Sequence, residues 1–151
     1  MELMSGCPTH DERVQLFALL LDTNARLAKS FSDVLEQECA LPRPWFDVLM
    51  QLRQSDGGRL KMNEIADAIV HSTGGTTRLI DRLVEAGFVA RQACPDDRRS
   101  IHVAITDEGN RKLDDALRVH LDYLEEHVGS RLSCDERAAL TALLEKLQPA
   151  N

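Results

Sequence analysis

The side chains in this chain best equipped for chemistry are hydrogen-bond donors rather than nucleophiles. Arg78 and Arg82 stand about one helical turn apart, with Thr73, Gly74 and Thr77 just before them. A second group, Arg91, Asp97, Arg98 and Arg99, surrounds the turn that carries Pro95 and Asp96. A guanidinium presents a planar fork of N–H groups that matches phosphate oxygens or the edge of a guanine, and threonine hydroxyls add short-range donors. Catalysis has no comparable signature. The chain contains no glycine-rich phosphate loop, no nucleophile elbow and no His-Glu-x-x-His pair, and its carboxylates fall at the helical spacings of a solvated face. We therefore expect no enzyme and no cofactor.

The elements around these residues determine what they can reach. Residues 72–86 read as a helix with Ser72 as N-cap and Gly87 just past its end. Thr76, Leu79, Ile80 and Leu83 share one face, which leaves Thr73, Gly74, Thr77, Arg78, Asp81 and Arg82 on the other. Two β-rich runs follow, and in the second Ile101, Val103 and Ile105 alternate with Ser100, His102 and Ala104. A helix with polar, groove-sized side chains followed by a basic-tipped hairpin is the layout of a winged helix. Its helix enters the DNA major groove and its hairpin reaches the backbone or minor groove. Gly74-Gly75 would cost ~1–2 kcal/mol relative to alanine inside a helix, less in a first turn. The pair either lets backbone N–H groups approach phosphate or leaves a loose turn that orders on DNA.

The remaining segments read as helices. Val14, Phe17, Ala18, Leu21, Ala25, Ala28 and Leu35 recur at three- and four-residue steps from Arg13 to about Cys39, and Leu41-Pro42-Arg43-Pro44 breaks that helix. A second helix carries Trp45, Val48, Leu49 and Leu52 to the turn at residues 55–58. A third spans Lys61 to Ile69, with Met62, Ile65, Ala66 and Ile69 inward. Thr106 caps a fifth helix running to about Val128, with Leu113, Leu117, Leu121 and Leu124 in its stripe and Gly129 at its end. Ser133 and Glu136 form a capping box that opens a last helix bearing Leu140, Leu143, Leu144 and Leu147. The expected fold class is mainly α with a small β-wing: a winged helix-turn-helix DNA-binding lobe at 42–105, with dimerisation helices at 11–40 and 106–148, in one domain over 1–151. The leucine stripes exceed what a chain of 151 residues can cover alone, so a two-fold homodimer is expected.

A net charge of −7 argues against nucleic acid until its distribution is read. Between His71 and His102 five arginines face four acidic residues, so the negative charge lies elsewhere in the chain. Screening beyond about 8–10 Å makes the local balance the one that governs contact. No apolar run approaches the ~20 residues of a membrane span, and the first ten residues lack a signal-peptide pattern, so a cytoplasmic protein without membrane partners is expected. Cys7, Cys39, Cys94 and Cys134 form no CxxC pair and are expected as thiols.

The ordered set Met62-Asn63-Glu64-Ile65-Ala66, residues 76–83 (Thr-Thr-Arg-Leu-Ile-Asp-Arg-Leu), Gly87-Phe88-Val89, Asp97-Arg98-Arg99 and Val103–Gly109 resembles the MarR family of bacterial winged-helix regulators. The resemblance implies a homodimer on a pseudo-palindromic double-stranded DNA operator. Such regulators usually repress and are usually released by a small-molecule effector or an oxidant. It also implies that Asp97 braces the Arg99 side chain toward the minor groove; beside it, Arg98 is assigned to phosphate, and the open face of the 72–86 helix itself assigns Arg78 and then Thr77 to base edges and Arg82 to phosphate. An effector cavity would lie between the dimer helices and the reading head, near Arg26, Phe31, Trp45, Phe46 and His71. Two alternatives accompany this reading. One is a cysteine-based redox sensor of the same fold, with Cys7 just before the first helix or Cys94 in the wing among Arg91, Arg98 and Arg99, which favour thiolate. The other is a winged-helix protein-interaction module, to which the overall acidity points. Cys7-x-x-His10, a single pair, makes no metal site by itself.

Overall fold

In a computed structural model, residues 10–69, 73–94, 96–97 and 99–148 are described, Thr73 and Gly74 by backbone alone. Helix α1 (Glu12–Cys39) opens on an Asp11 cap and ends where Ala40 turns left-handed. Helix α2 (Arg43–Gln54) begins at Pro42 with Pro44 in its first turn, where a missing N–H costs nothing. Strand β1 (Arg59–Lys61) leads into α3 (Met62–Ile69), and α4 (Thr73–Glu85) follows. Strands β2 (Val89–Ala93) and β3 (Ile101–Ile105) form the wing, and α5 (Asp107–Leu124) and α6 (Cys134–Leu147) complete the chain. The sheet order is β1-β3-β2, antiparallel throughout, with Lys61 opposite His102 and Gln92 on the far side of the same residue.

One apolar core unites head and arms. Phe31 and Leu35 of α1, Leu41, Val48, Leu49 and Leu52 around α2, Ile65, Ile80, Leu83, Val103 and then Leu113, Ala116 and Tyr123 of α5 form a single cluster. Polar ties reinforce it. Arg53 of α2 donates to the side chain and carbonyl of Asn110 at 2.7 and 2.8 Å and to Asp114 at 2.9 Å. Lys112 caps the end of α1 through the Cys39 carbonyl, and Tyr123 donates to the Leu27 carbonyl.

Three local expectations need correction. Strand β1 was not anticipated: Arg59 and Lys61 extend the wing into a three-stranded sheet, so α3 starts one residue later than Lys61. In β3 the alternation fails at both ends of the burial scale, since Ile101 is exposed and Ala104 is buried. Ala104 sits in the middle strand with Arg59 and Ala90 on either side, whereas Ile101 lies beyond the end of β1. The α5 helix winds regularly only to Leu124 and then widens into a π-type turn over Glu125–Gly129. Ser72, expected as the α4 N-cap, lies outside the described residues.

The chain folds back on itself most tightly where the wing meets α5. Gly87, at φ 79°, ends α4 in a conformation suited to glycine. The Thr106 hydroxyl donates to the Gly87 carbonyl at 2.6 Å and accepts from the Gly109 N–H at 3.0 Å, while the Thr106 N–H binds the Phe88 carbonyl at 3.0 Å. A β-carbon on Gly109 would stand 2.1 Å from that same carbonyl oxygen. Backbone cannot yield as a side-chain tip can, so Gly109→Ala should destabilise the fold by about 2–3 kcal/mol. For a chain of this size that lowers the melting temperature by roughly 4–10 °C in calorimetry. An unchanged melting temperature would contradict this packing.

Candidate nucleic-acid interface

Helix α4 is held in one rotational setting by what it buries. Thr76 is 1% exposed and Ile80 and Leu83 are fully buried, which turns Thr77, Arg78, Asp81 and Arg82 to solvent. Thr73 and Gly74 begin the same helix by their backbone. Arg78 and Arg82 border a cleft of about 260 Å³ with Gly75, Leu79 and Pro44. Asp81, placed on the same outward face by periodicity, is engaged by Arg91 of β2 at 2.6 Å, an ion pair that ties the helix to the wing.

At the wing tip the Asp97 carboxylate does not hold the Arg99 guanidinium, as the resemblance implied. It accepts from the Arg99 backbone N–H at 2.9 Å and from the Ser100 hydroxyl at 3.1 Å. The brace therefore acts on the turn, which presents Arg99 by its backbone and leaves the side chain exposed. The Arg99 N–H, the Ser100 hydroxyl and then the Lys61 charge hold the Asp97 carboxyl below its usual range. The Ser100 N–H to the Asp97 carbonyl, 3.0 Å, and the Cys94 N–H to the Ser100 carbonyl, 3.1 Å, close the hairpin. Arg98 lies outside the described residues.

The residues assigned to an effector cavity divide. Phe31 and Phe46 meet edge-on at 5.4 Å between centroids, and both pack on His120, at 4.3 and 5.4 Å. Arg43 lies 4.9 Å above the Phe31 ring. Beside them a cavity of about 200 Å³ is lined by Leu27, Phe31, Arg43, His120, Tyr123 and Leu124, among others. Arg26 is elsewhere, paired with Asp22 on the outer surface of α1, and Trp45 packs against Phe88 instead. His71 lies outside the described residues. Arg43, His120 and Tyr123 were missed because their neighbours come from three helices, which spacing along one helix does not reveal.

Nδ1 of His120 is buried without a hydrogen-bond partner. Burial first, then the charge of Arg43, lowers the His120 pKa against the opposing pull of Asp47. Of the thiols, Cys39 is pushed upward by burial, away from thiolate. Cys94 is half-buried, Cys134 is exposed with its sulfur 3.2 Å from an Arg137 donor, and Cys7 lies outside the described residues.

Because the folded state disfavours His120 protonation, the unfolded chain takes up that proton first. The contribution to stability is complete above about pH 6.5, the unperturbed histidine value, and is lost as pH falls from there toward the lowered folded pKa. Melting curves from about pH 5 to 7.5 should show a shallower acid decline for His120→Phe than for the wild type. Parallel declines would contradict it. Asp97→Ala should weaken DNA binding through a loosened turn while shifting the melting temperature by only about 1–2 °C; retained affinity in a fluorescence titration would show that the brace has no part in binding.

A sequence profile described as MarR family matches residues 41–100, from the start of α2 to the wing tip. The chain is 35% identical over 89 residues to the HTH-type transcriptional regulator YkoM of Bacillus subtilis (strain 168), covering 59% of this chain and 57% of that protein. It is 30% identical over 104 residues to the HTH-type transcriptional regulator PecS of Dickeya dadantii (strain 3937), covering 68% and 62%. The chain thus spans less than two thirds of the length of these relatives. The crystal structure of Sco3205, a MarR family transcriptional regulator from Streptomyces coelicolor in complex with DNA, superposes with a TM-score of 0.82 at 25% identity, covering 97% of this chain and 94% of that one. The profile match, the relatives and the superposition agree: from α2 to the wing tip the chain matches the MarR family, and its fold is that of a MarR family regulator of known structure.

Proposed function

We propose that this protein is a transcriptional repressor that grips an inverted-repeat duplex as a homodimer through α4 and the wing. The observation that carries the reading is the pairing of two donor-bearing surfaces on one rigid head. The outward face of α4 carries Thr77, Arg78 and Arg82, and the braced wing turn carries Arg99. Arg78 is assigned to base edges, Arg82 to phosphate and Arg99 to the minor groove, where a narrow groove concentrates negative potential. Support comes from the likeness to Sco3205, a regulator in complex with DNA.

The arms supply the second copy's binding surface. Val14, Leu16, Phe17, Leu19 and Leu21 of α1 and Leu143 and Leu147 of α6 are each at least half exposed in the single chain. An apolar surface of this extent is what a symmetric partner covers. Effector release is assigned to the cavity beside His120, whose unpartnered nitrogen and facing Arg43 suit a small ligand of one ring with a polar edge. The net charge of −7 favours one competing reading, a protein-interaction module, which would show no salt-dependent affinity for DNA.

Selecting bound duplexes from a random pool should recover an inverted repeat with half-sites about one helical turn apart. On that duplex Arg99→Ala should lose at least about tenfold in affinity at fixed salt, and Arg78→Ala should lose ~1–3 kcal/mol of preference at one base pair per half-site. Unchanged affinity for Arg99→Ala would remove the wing from the reading. Leu143→Asp with Leu147→Asp should yield a monomer in sedimentation and abolish the bound complex; a dimer in that variant would contradict the assignment of the arms.

A further inference from the structure

Strand β1 places a basic residue where the head and wing meet, at a position the sequence pattern had assigned to the start of α3. Lys61 ends β1 opposite His102, and its exposed side chain shares a groove of about 330 Å³ with Met62, Asn63, Arg99, Ser100 and Ile101. One wall of this groove therefore comes from the end of β1 and the first turn of α3, and the other from the wing tip. In a helix-turn-helix the helix preceding the recognition helix crosses the DNA backbone, whereas the wing reaches the adjoining groove. On a duplex engaged by both parts, a groove joining them would meet the backbone between the two contacts.

Two acidic neighbours of Lys61, Glu64 and Asp97, bond to groups other than its ammonium. Glu64 accepts the Lys61 backbone N–H at 2.7 Å, which caps α3 without using the ammonium. Asp97 is tied to the Arg99 N–H and the Ser100 hydroxyl, and the Lys61 charge is a smaller influence on it after these two. The long lysine side chain can thus turn its charge outward beside Arg99.

We infer that Lys61, with Asn63 beside it, holds a DNA backbone phosphate at the groove between the start of α3 and the wing tip, next to the point where Arg99 enters the minor groove. The inference rests on the DNA-binding reading and adds a contact that carries no sequence information. A phosphate contact contributes through counterion release, so its loss flattens the salt dependence equally on every duplex.

The test measures affinity across a salt series for the full-length wild type and for Lys61→Gln, Lys61→Glu and Lys61→Arg, on the selected operator and on an unrelated duplex. Lys61→Gln should lower the slope of log affinity against log salt by about one per head engaged on both duplexes, with base preference intact. Lys61→Glu should weaken both further, and Lys61→Arg should restore the wild-type slope. The capping bond uses the backbone, so matching melting curves are expected for all three variants. Wild-type slopes in Lys61→Gln, or a loss confined to the operator, would overturn the phosphate contact while leaving DNA binding in place. A wild type with no salt-dependent affinity for either duplex would overturn the DNA reading and the phosphate contact with it.

Discussion

The close approach of Gly109 to the Phe88 carbonyl is the constraint on which the rest of the arrangement depends. Through it the end of α4, the root of the wing and the first turn of α5 share a few atoms. The Thr106 hydroxyl bridges the Gly87 carbonyl to the Gly109 N–H, and the Thr106 N–H takes the Phe88 carbonyl. The end of α4, the hairpin and the start of α5 thus share one packed junction. Arg53 adds a second tie from α2 to α5, through Asn110 and Asp114.

Electrostatics acts locally on this frame. The surface ion pairs are exposed and are each worth at most about 1 kcal/mol, so they orient more than they stabilise. Arg91 with Asp81 fixes the wing against α4, and Asp97 fixes the turn beneath Arg99. The same wing surface carries Lys61, which lies outside the set of arginines that periodicity brings forward. The acidity of the chain as a whole, −7, sits on a body whose donor-rich edge is set apart from it.

Much of this was legible in the sequence, for identifiable reasons. Helices α1, α2, α4, α5 and α6 announce themselves through apolar steps of three and four residues and through capping side chains, so the face of α4 that buries Thr76, Ile80 and Leu83 could be read directly. Strand β1 could not, because three residues following a glycine turn carry too little pattern, and with it Lys61 was read as helix. Asp97 has a different partner from the one implied: the carboxylate reaches backbone two residues on, a local bond available to aspartate in any turn. His120 stayed hidden because its burial depends on Phe31 and Phe46 from other helices. Arg26 and Trp45, chosen by position near the junction, point to Asp22 and Phe88.

The central claim is geometric: two heads, joined by their arms, set paired α4 helices into successive major grooves with a wing beside each. Hydroxyl-radical and methylation footprinting of the wild type on its selected duplex tests this most directly. The account predicts two protected major-groove tracts centred about 34–36 Å apart, each flanked by minor-groove protection, related by two-fold symmetry. A single asymmetric tract, or protection confined to the backbone with both grooves open, would contradict it.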